Sequence, residues 1–220
     1  IDDTAALQER GVVRVVSMPD GYGVIADNTW RAFQAAELVR AEWGEAPYPA
    51  NTEGLFGEIA GAFTPAARDS RLKDEGDVQS VLAPKGPGFW QADYRVPYLA
   101  HAPLEPMNAV VQLNGSRLDL WVGTQIPRYA VAAAARLTGL REDQVHLHAQ
   151  LMGCSFGRRL EDDFIRQAVL LAMAHPGPPI QMTWSREEEM THDFPRPGAL
   201  ARARGQVRAG QVLALDLSIA

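Results

Sequence analysis

The chain has a single cysteine, no apolar run long enough to cross a membrane, and no excess of positive charge. Each shortage removes a class of function. With Cys154 alone no internal disulfide can form, and the four thiolates of a usual iron–sulfur cluster or Cys₄ zinc site are out of reach. The most apolar segment, residues 168–174, stops at His175-Pro176-Gly177, well short of the roughly 20 residues of a membrane helix. A net charge of −6, with arginines scattered among acids, leaves no basic stripe and makes nucleic acid a poor partner.

What is present suffices for a buried core, since 46% of the 220 residues are hydrophobic. The chain opens at Ile1 and stops inside an alternating strand pattern at residues 212–219, as expected of a piece of a longer polypeptide.

Local patterns predict a mixed fold. Apolar runs at 12–16 and 23–26 flank Met18-Pro19-Asp20-Gly21, where proline presets φ and glycine supplies φ > 0, so a two-stranded unit is expected. Trp30, Phe33, Ala36, Leu38 and Val39 then recur at helical spacing behind a candidate cap at Asp27 or Asn28. Residues 45–88 are rich in Pro, Gly, Ala and charge, with weak helical patterns at 52–62 and 77–82, and are expected to form a long connection. Beyond it come a strand at 89–99, an ordered loop at 101–108, and a hairpin of 109–113 and 117–122 across Asn114-Gly115. A helix from Pro127 to Gly139, a strand at 145–152, a helix from Leu160 to Ala174, and strands at 180–185, 199–207 and 211–219 complete the pattern. The fold class is therefore α/β (α+β), divided as 1–45, 46–88 and 89–220.

Between the strand at 145–152 and the next helix, Gly153-Cys154-Ser155-Phe156-Gly157 spells G-x-S-x-G, the nucleophile-elbow pattern of serine hydrolases. The remaining machinery is missing: no HGGG-like segment lies upstream, and His175 and His192 are the only later histidines. Two other interpretations use the same glycines. One is a tight strand-to-helix turn in which Ser155 hydrogen-bonds locally. The other is an anion site, with unpaired N–H groups and a helix dipole reinforced by Arg158 and Arg159.

Two residue pairs invite a metal and then disappoint. His101 and Glu105 have i, i+4 spacing, but Pro103 and Pro106 break the helix this spacing needs, so both are expected to brace a loop. His146 and His148 share a strand face without a third ligand, and a satisfied or surface pair is expected. Cys154 is expected to be a small buried hydrophobe.

Three motifs in order carry a stronger signal: residues 99–109 (LAHAPLEPMNA), residues 121–125 (WVGTQ), and residues 152–159 (MGCSFGRR). With this spacing the chain resembles the molybdenum-binding subunits of the xanthine dehydrogenase and aldehyde oxidase family. It is most similar to the branch holding isoquinoline 1-oxidoreductase and membrane-bound aldehyde dehydrogenases. Gly11 to Trp43 resembles part of that family's α/β hammerhead domain, and residues 89–220 resemble the first part of its mixed α/β molybdopterin-binding domain.

The resemblance implies a molybdenum hydroxylase that oxidises aldehydes or N-heteroaromatic compounds with water as oxygen source. Its cofactor would be molybdopterin cytosine dinucleotide carrying molybdenum, and its partners a small 2Fe-2S subunit and a cytochrome c or other electron acceptor. By the same resemblance Gln125 hydrogen-bonds an oxygen on molybdenum, an amide donating without carrying charge. Gly153, Cys154, Ser155, Phe156, Gly157 and Arg158 line the cofactor, with Phe156 nearest the metal. The family's turn usually reads G-G-G-F-G-R-R, so Cys154 and Ser155 replace glycines, at a cost if either needs φ > 0. The family's catalytic glutamate falls beyond Ala220, so the isolated piece is expected to be inert and free of cofactor. Residue patterns alone leave a non-catalytic interaction module and a serine hydrolase as alternatives, and cytoplasm and periplasm both open.

Overall fold

A computed structural model describes all residues, 1–220. The chain packs as two compact units, one formed by 1–43 with 100–194 and the other by 44–99 with 195–220.

The first unit is built on a four-stranded sheet of order β6-β5-β4-β7. Strands β4 (Asn108–Asn114) and β5 (Arg117–Val122) form the antiparallel hairpin that Asn114-Gly115 encodes, with Gly115 at φ +57°. β6 (Val145–Ala149) lies parallel to β5, the arrangement that needs the helical crossover α4 (Pro127–Thr138) between them. Pro127 opens α4 and Gly139, left-handed at φ +72°, closes it. β7 (Ile180–Thr183) pairs antiparallel with β4.

Alternating Val111, Leu118, Leu120 and Val122 are buried against Ala130 and Ala134 of α4 and Phe164, Ile165 and Ala168 of α5 (Asp163–Ala174). Small alanines let the two helices approach closely, and full burial of a side chain such as Phe164 contributes about 2–3 kcal/mol. A hairpin of β1 (Val12–Met18) and β2 (Gly21–Ala26) also packs on α5, where a Cβ on Gly23 would meet Leu171 at 2.7 Å. Helix α1 (Thr29–Ala36) follows, its Asn28 cap accepting from the Arg31 N–H. Trp30, counted at core spacing in the sequence, is 69% exposed.

The second unit is an antiparallel sheet of order β3-β8-β9, comprising Phe89–Val96, Ala199–Arg208 and Gln211–Ile219. The weak helical patterns within the expected connection form α2 (Thr52–Gly61) and α3 (Val78–Leu82), which lay Phe56 and Leu82 into this unit.

Two departures concern the site. The helix expected to start at Leu160 starts at Asp163, because the residues after the 153–157 turn form one 3-10 turn, Arg158–Leu160, and the chain straightens at Glu161. A short helix absent from the sequence analysis, α6 (Arg186–Thr191), follows β7, its Ser185 side chain accepting from the Glu188 N–H.

Candidate functional site

Helix α6 and the residues after it clamp the loop 101–107 from end to end. Asp193 accepts from the His101 backbone N–H at 2.7 Å and meets His101 Nδ1 at 2.9 Å. Arg186 donates to the Pro103 and Leu104 carbonyls at 2.7 and 2.9 Å, and buried Glu189 accepts from the Met107 N–H at 2.7 Å. Two prolines keep this segment out of any helix, so its polar groups depend on such outside partners. His101 and Glu105 thus brace the loop, as their sequence setting suggested, and no group of three His, Cys, Asp or Glu side chains gathers to hold a metal ion.

Thus fixed, Glu105 reaches the glycine turn. Its Oε2 accepts from the Gly153 N–H at 2.7 Å and its Oε1 from Asn108 Nδ2 at 2.9 Å. Burial would raise the Glu105 pKa, but these hydrogen bonds and the Arg159 charge hold it below the ordinary range, so the carboxylate stays charged.

In the turn itself, the left-handed residues are Phe156 at φ +52° and Gly157 at φ +105°. Cys154 and Ser155, where the family pattern has glycine, avoid positive φ, so their Cβ atoms carry no such penalty. Cys154 is exposed rather than buried, because strand β6 ends at Ala149 and leaves the turn outside the sheet. Phe156 is 72% exposed. The N–H groups of Cys154, Ser155, Phe156 and Gly157 have no acceptor in the chain.

Ser155 donates to the Gly153 carbonyl at 3.1 Å and makes no hydrogen bond to a histidine, so the base that would activate a nucleophile is missing. Treatment with a fluorophosphonate should leave the peptide containing Ser155 unmodified. Stoichiometric adduct mass on that peptide would restore the nucleophile.

Both arginines after the turn lie inside, Arg158 at 0% and Arg159 at 1% exposure. Arg158 forks onto Asp163 at 3.0 and 2.7 Å, donates to the His192 carbonyl at 3.1 Å, and sets Nε 3.3 Å from Asp193. Its guanidinium lies 5.3 Å from the rings of both Trp184 and Phe194. The charge-assisted anion contact expected of Arg158 and Arg159 is therefore corrected: these side chains are already paired within the chain and hold the turn from behind.

Gln125 stands beside the turn. It follows the end of β5, its N–H donating to the Arg159 carbonyl at 3.0 Å, while its side chain is exposed and makes no hydrogen bond within the chain. His148 is occupied elsewhere: it stacks on Trp121 at 4.9 Å and meets Asp119 at 2.9 Å. Loop clamp, turn and Gln125 together offer four free backbone donors and one free amide. That donor set fits an uncharged contact to the oxygens of an organic cofactor better than metal ligation by side chains.

A family model described as molybdopterin cofactor-binding domain matches residues 63–220. The chain belongs to that family. The chain is 27% identical to the beta subunit of isoquinoline 1-oxidoreductase from Brevundimonas diminuta, over 100% of its own residues and 29% of that protein. It is 29% identical to a nicotinate dehydrogenase subunit of Pseudomonas putida, over 98% of its residues and 18% of that protein. The chain thus spans less than a third of these relatives' length. Its fold is shared with quinoline 2-oxidoreductase from Pseudomonas putida 86, at a TM-score of 0.73 and 18% identity, over 99% of this chain and 33% of that one.

The three sequence motifs of the candidate site meet in space: residues 99–109 supply Glu105, 121–125 supply Gln125, and 152–159 supply the turn. Asp163, Asp193 and Glu189 hold the turn and loop, a role the sequence patterns did not assign to them. Glu189 had a signal, since Ser185 followed three residues later by Glu188 marks a helix start.

Proposed function

We propose that the chain is part of a molybdenum hydroxylase subunit that oxidises aldehydes or N-heteroaromatic compounds with water as the source of oxygen. Electrons would pass to a small 2Fe-2S subunit and from there to a cytochrome c or other acceptor. The observation that carries this proposal is the exposed Gln125 amide tied beside a turn with four unsatisfied N–H groups. The names of the curated relatives supply the substrate classes.

The cofactor, taken here as molybdopterin cytosine dinucleotide, supplies two-electron oxidation when bound. This chain's part is holding and shielding. The N–H groups of Cys154, Ser155, Phe156 and Gly157 would hold cofactor oxygens, and Gln125 would donate its side-chain N–H, without itself carrying charge, to a strongly polarised oxygen. Phe156, left exposed by its left-handed backbone, would cover the reacting centre and exclude water. Gly153 approaches Glu105 so closely that an added Cβ would sit 2.9 Å from Glu105 Cβ, which fixes the start of the turn. We assign residues 1–45 to part of a hammerhead domain, and the proton-accepting base to a later part of the subunit.

The proposal makes a direct forecast for the 220-residue chain: with most of the cofactor wall elsewhere, it should fold yet carry no molybdenum. The complete subunit, purified with its partners, should carry about one per chain. Elemental analysis decides both, and a complete subunit without molybdenum would sink the proposal.

A further inference from the structure

We propose that Glu105 and Arg159 form one strut that sets the Gln125 amide against the 153–157 turn, so that both are positioning residues of the site. The inference rests on the function proposed above for its consequence, but its geometry stands independently. Glu105 Oε2 accepts from the Gly153 N–H at 2.7 Å and lies 3.2 Å from Arg159 Nη2. The same guanidinium donates through Nη1 to the Gly123 carbonyl at 3.0 Å. The Arg159 carbonyl accepts from the Gln125 N–H at 3.0 Å, with the Thr124 hydroxyl 3.4 Å away. Side chain and main chain of one residue therefore grip both ends of the segment 123–125, and one carboxylate ties that grip to the first residue of the turn.

The sequence makes room for this arrangement at two glycines. A Cβ on Gly123 would lie 2.6 Å from Met152 Cγ and 3.4 Å from Arg159 Nη1, and one on Gly153 would lie 2.9 Å from Glu105 Cβ. Arg159 is buried, so no bulk water stands by to replace a lost partner. The contact needs a planar fork: one nitrogen cannot reach the Gly123 carbonyl and the Glu105 carboxylate together as two can. Glu105 is far enough from the core, with 38% of its side chain exposed, to be altered without unfolding the chain.

The test compares Glu105→Gln and Arg159→Lys, singly and combined, by amide hydrogen exchange on the folded chain and by turnover of the complete subunit. Exchange of both the Gly153 and the Gln125 N–H should accelerate roughly ten- to a hundred-fold in either single variant, with strand β4 amides unchanged. The double variant should add little to either single one, because the two residues act as a unit. Acceleration at Gly153 with Gln125 unmoved in Glu105→Gln would overturn the strut, as would fully additive effects. In the complete subunit, turnover per molybdenum should fall in both variants while molybdenum content stays parental. Coupled exchange with parental turnover would support the strut and count instead against the proposed role of Gln125. Should Arg159→Lys fail to fold, Glu105→Gln alone still decides whether the carboxylate reaches Gln125.

Discussion

Replacing Arg158 by leucine should cost the fold about 3–5 kcal/mol, a large share of the stability of an ordinary domain. The residue is fully buried and meets two nearly buried carboxylates, those of Asp163 and Asp193, with side chains 12% and 5% exposed. Leucine fills much of the space, but takes the guanidinium from both carboxylates, and removing one partner from a buried charge cluster costs more than the contact was worth. The surface pair of Arg166 and Asp162 gives the contrast: Arg166 is about half exposed, so its replacement by leucine should cost less than about 1 kcal/mol. Denaturant midpoints followed by tryptophan emission would compare the two, since Trp184 lies against the Arg158 guanidinium. Equal small shifts would mean that solvent reaches Arg158 and screens it.

The same cluster sets an acid limit. Burial alone would raise the Asp193 pKa, but hydrogen bonds from the His101 backbone and ring and the His101 charge hold it below the ordinary range. A carboxylate with a depressed folded pKa stabilises above its unfolded value and loses that contribution as pH falls through the folded one. His192 acts in the opposite sense. Its pKa is raised, first by the Glu188 hydrogen bond and then, against the cost of burial, by the Asp163 charge, so its contribution is complete below its unfolded pKa and fades as pH climbs through the raised one. Stability plotted against pH should therefore decline on both sides of the interval between the two groups, and Asp193→Asn should flatten the acid side alone.

How much of this was legible in the sequence depends on the range of the cause. Pro127 and Gly139 mark the ends of α4 through their own backbone preferences, and both ends appear within a residue of where the sequence puts them. The hairpin at Asn114-Gly115 is equally local. Arg158 is different. An arginine following a glycine turn looks like an exposed cation until Asp193, distant in sequence, is brought to it by α6. The delayed start of α5 goes with it, since the 3-10 turn that precedes α5 carries both buried arginines. The motifs around Glu105, Gln125 and the turn were visible as separate strings. Their common point, the Glu105 hydrogen bond to the Gly153 N–H, is a tertiary fact that no spacing encodes.

Gln125→Leu in the complete subunit should lower turnover by roughly ten- to a hundred-fold while leaving both fold and cofactor content intact. The magnitude follows from losing one hydrogen bond to a charged or strongly polarised oxygen, about 1.5–3 kcal/mol, provided that bond strengthens in the transition state. The fold should be indifferent, because the Gln125 side chain is exposed and bonds to nothing else in the chain, and such substitutions usually change stability by within about 0.5 kcal/mol. Gly157→Val acts on the other side of the site and should fail differently. A Cβ there would be only in ordinary contact with His101 Nε2 at 3.5 Å, so space is not the obstacle. The obstacle is φ +105°, which a β-branched residue adopts at a cost on the order of 1–3 kcal/mol, relieved by moving the backbone. Moving it would redirect the N–H groups of Phe156 and Gly157, so molybdenum should be lost from protein that remains folded. Two ratios separate the variants: molybdenum per folded subunit, and turnover per molybdenum. Gln125→Leu should change only the second and Gly157→Val chiefly the first. Parental values of both ratios in both variants would remove Gln125 and the turn from the site.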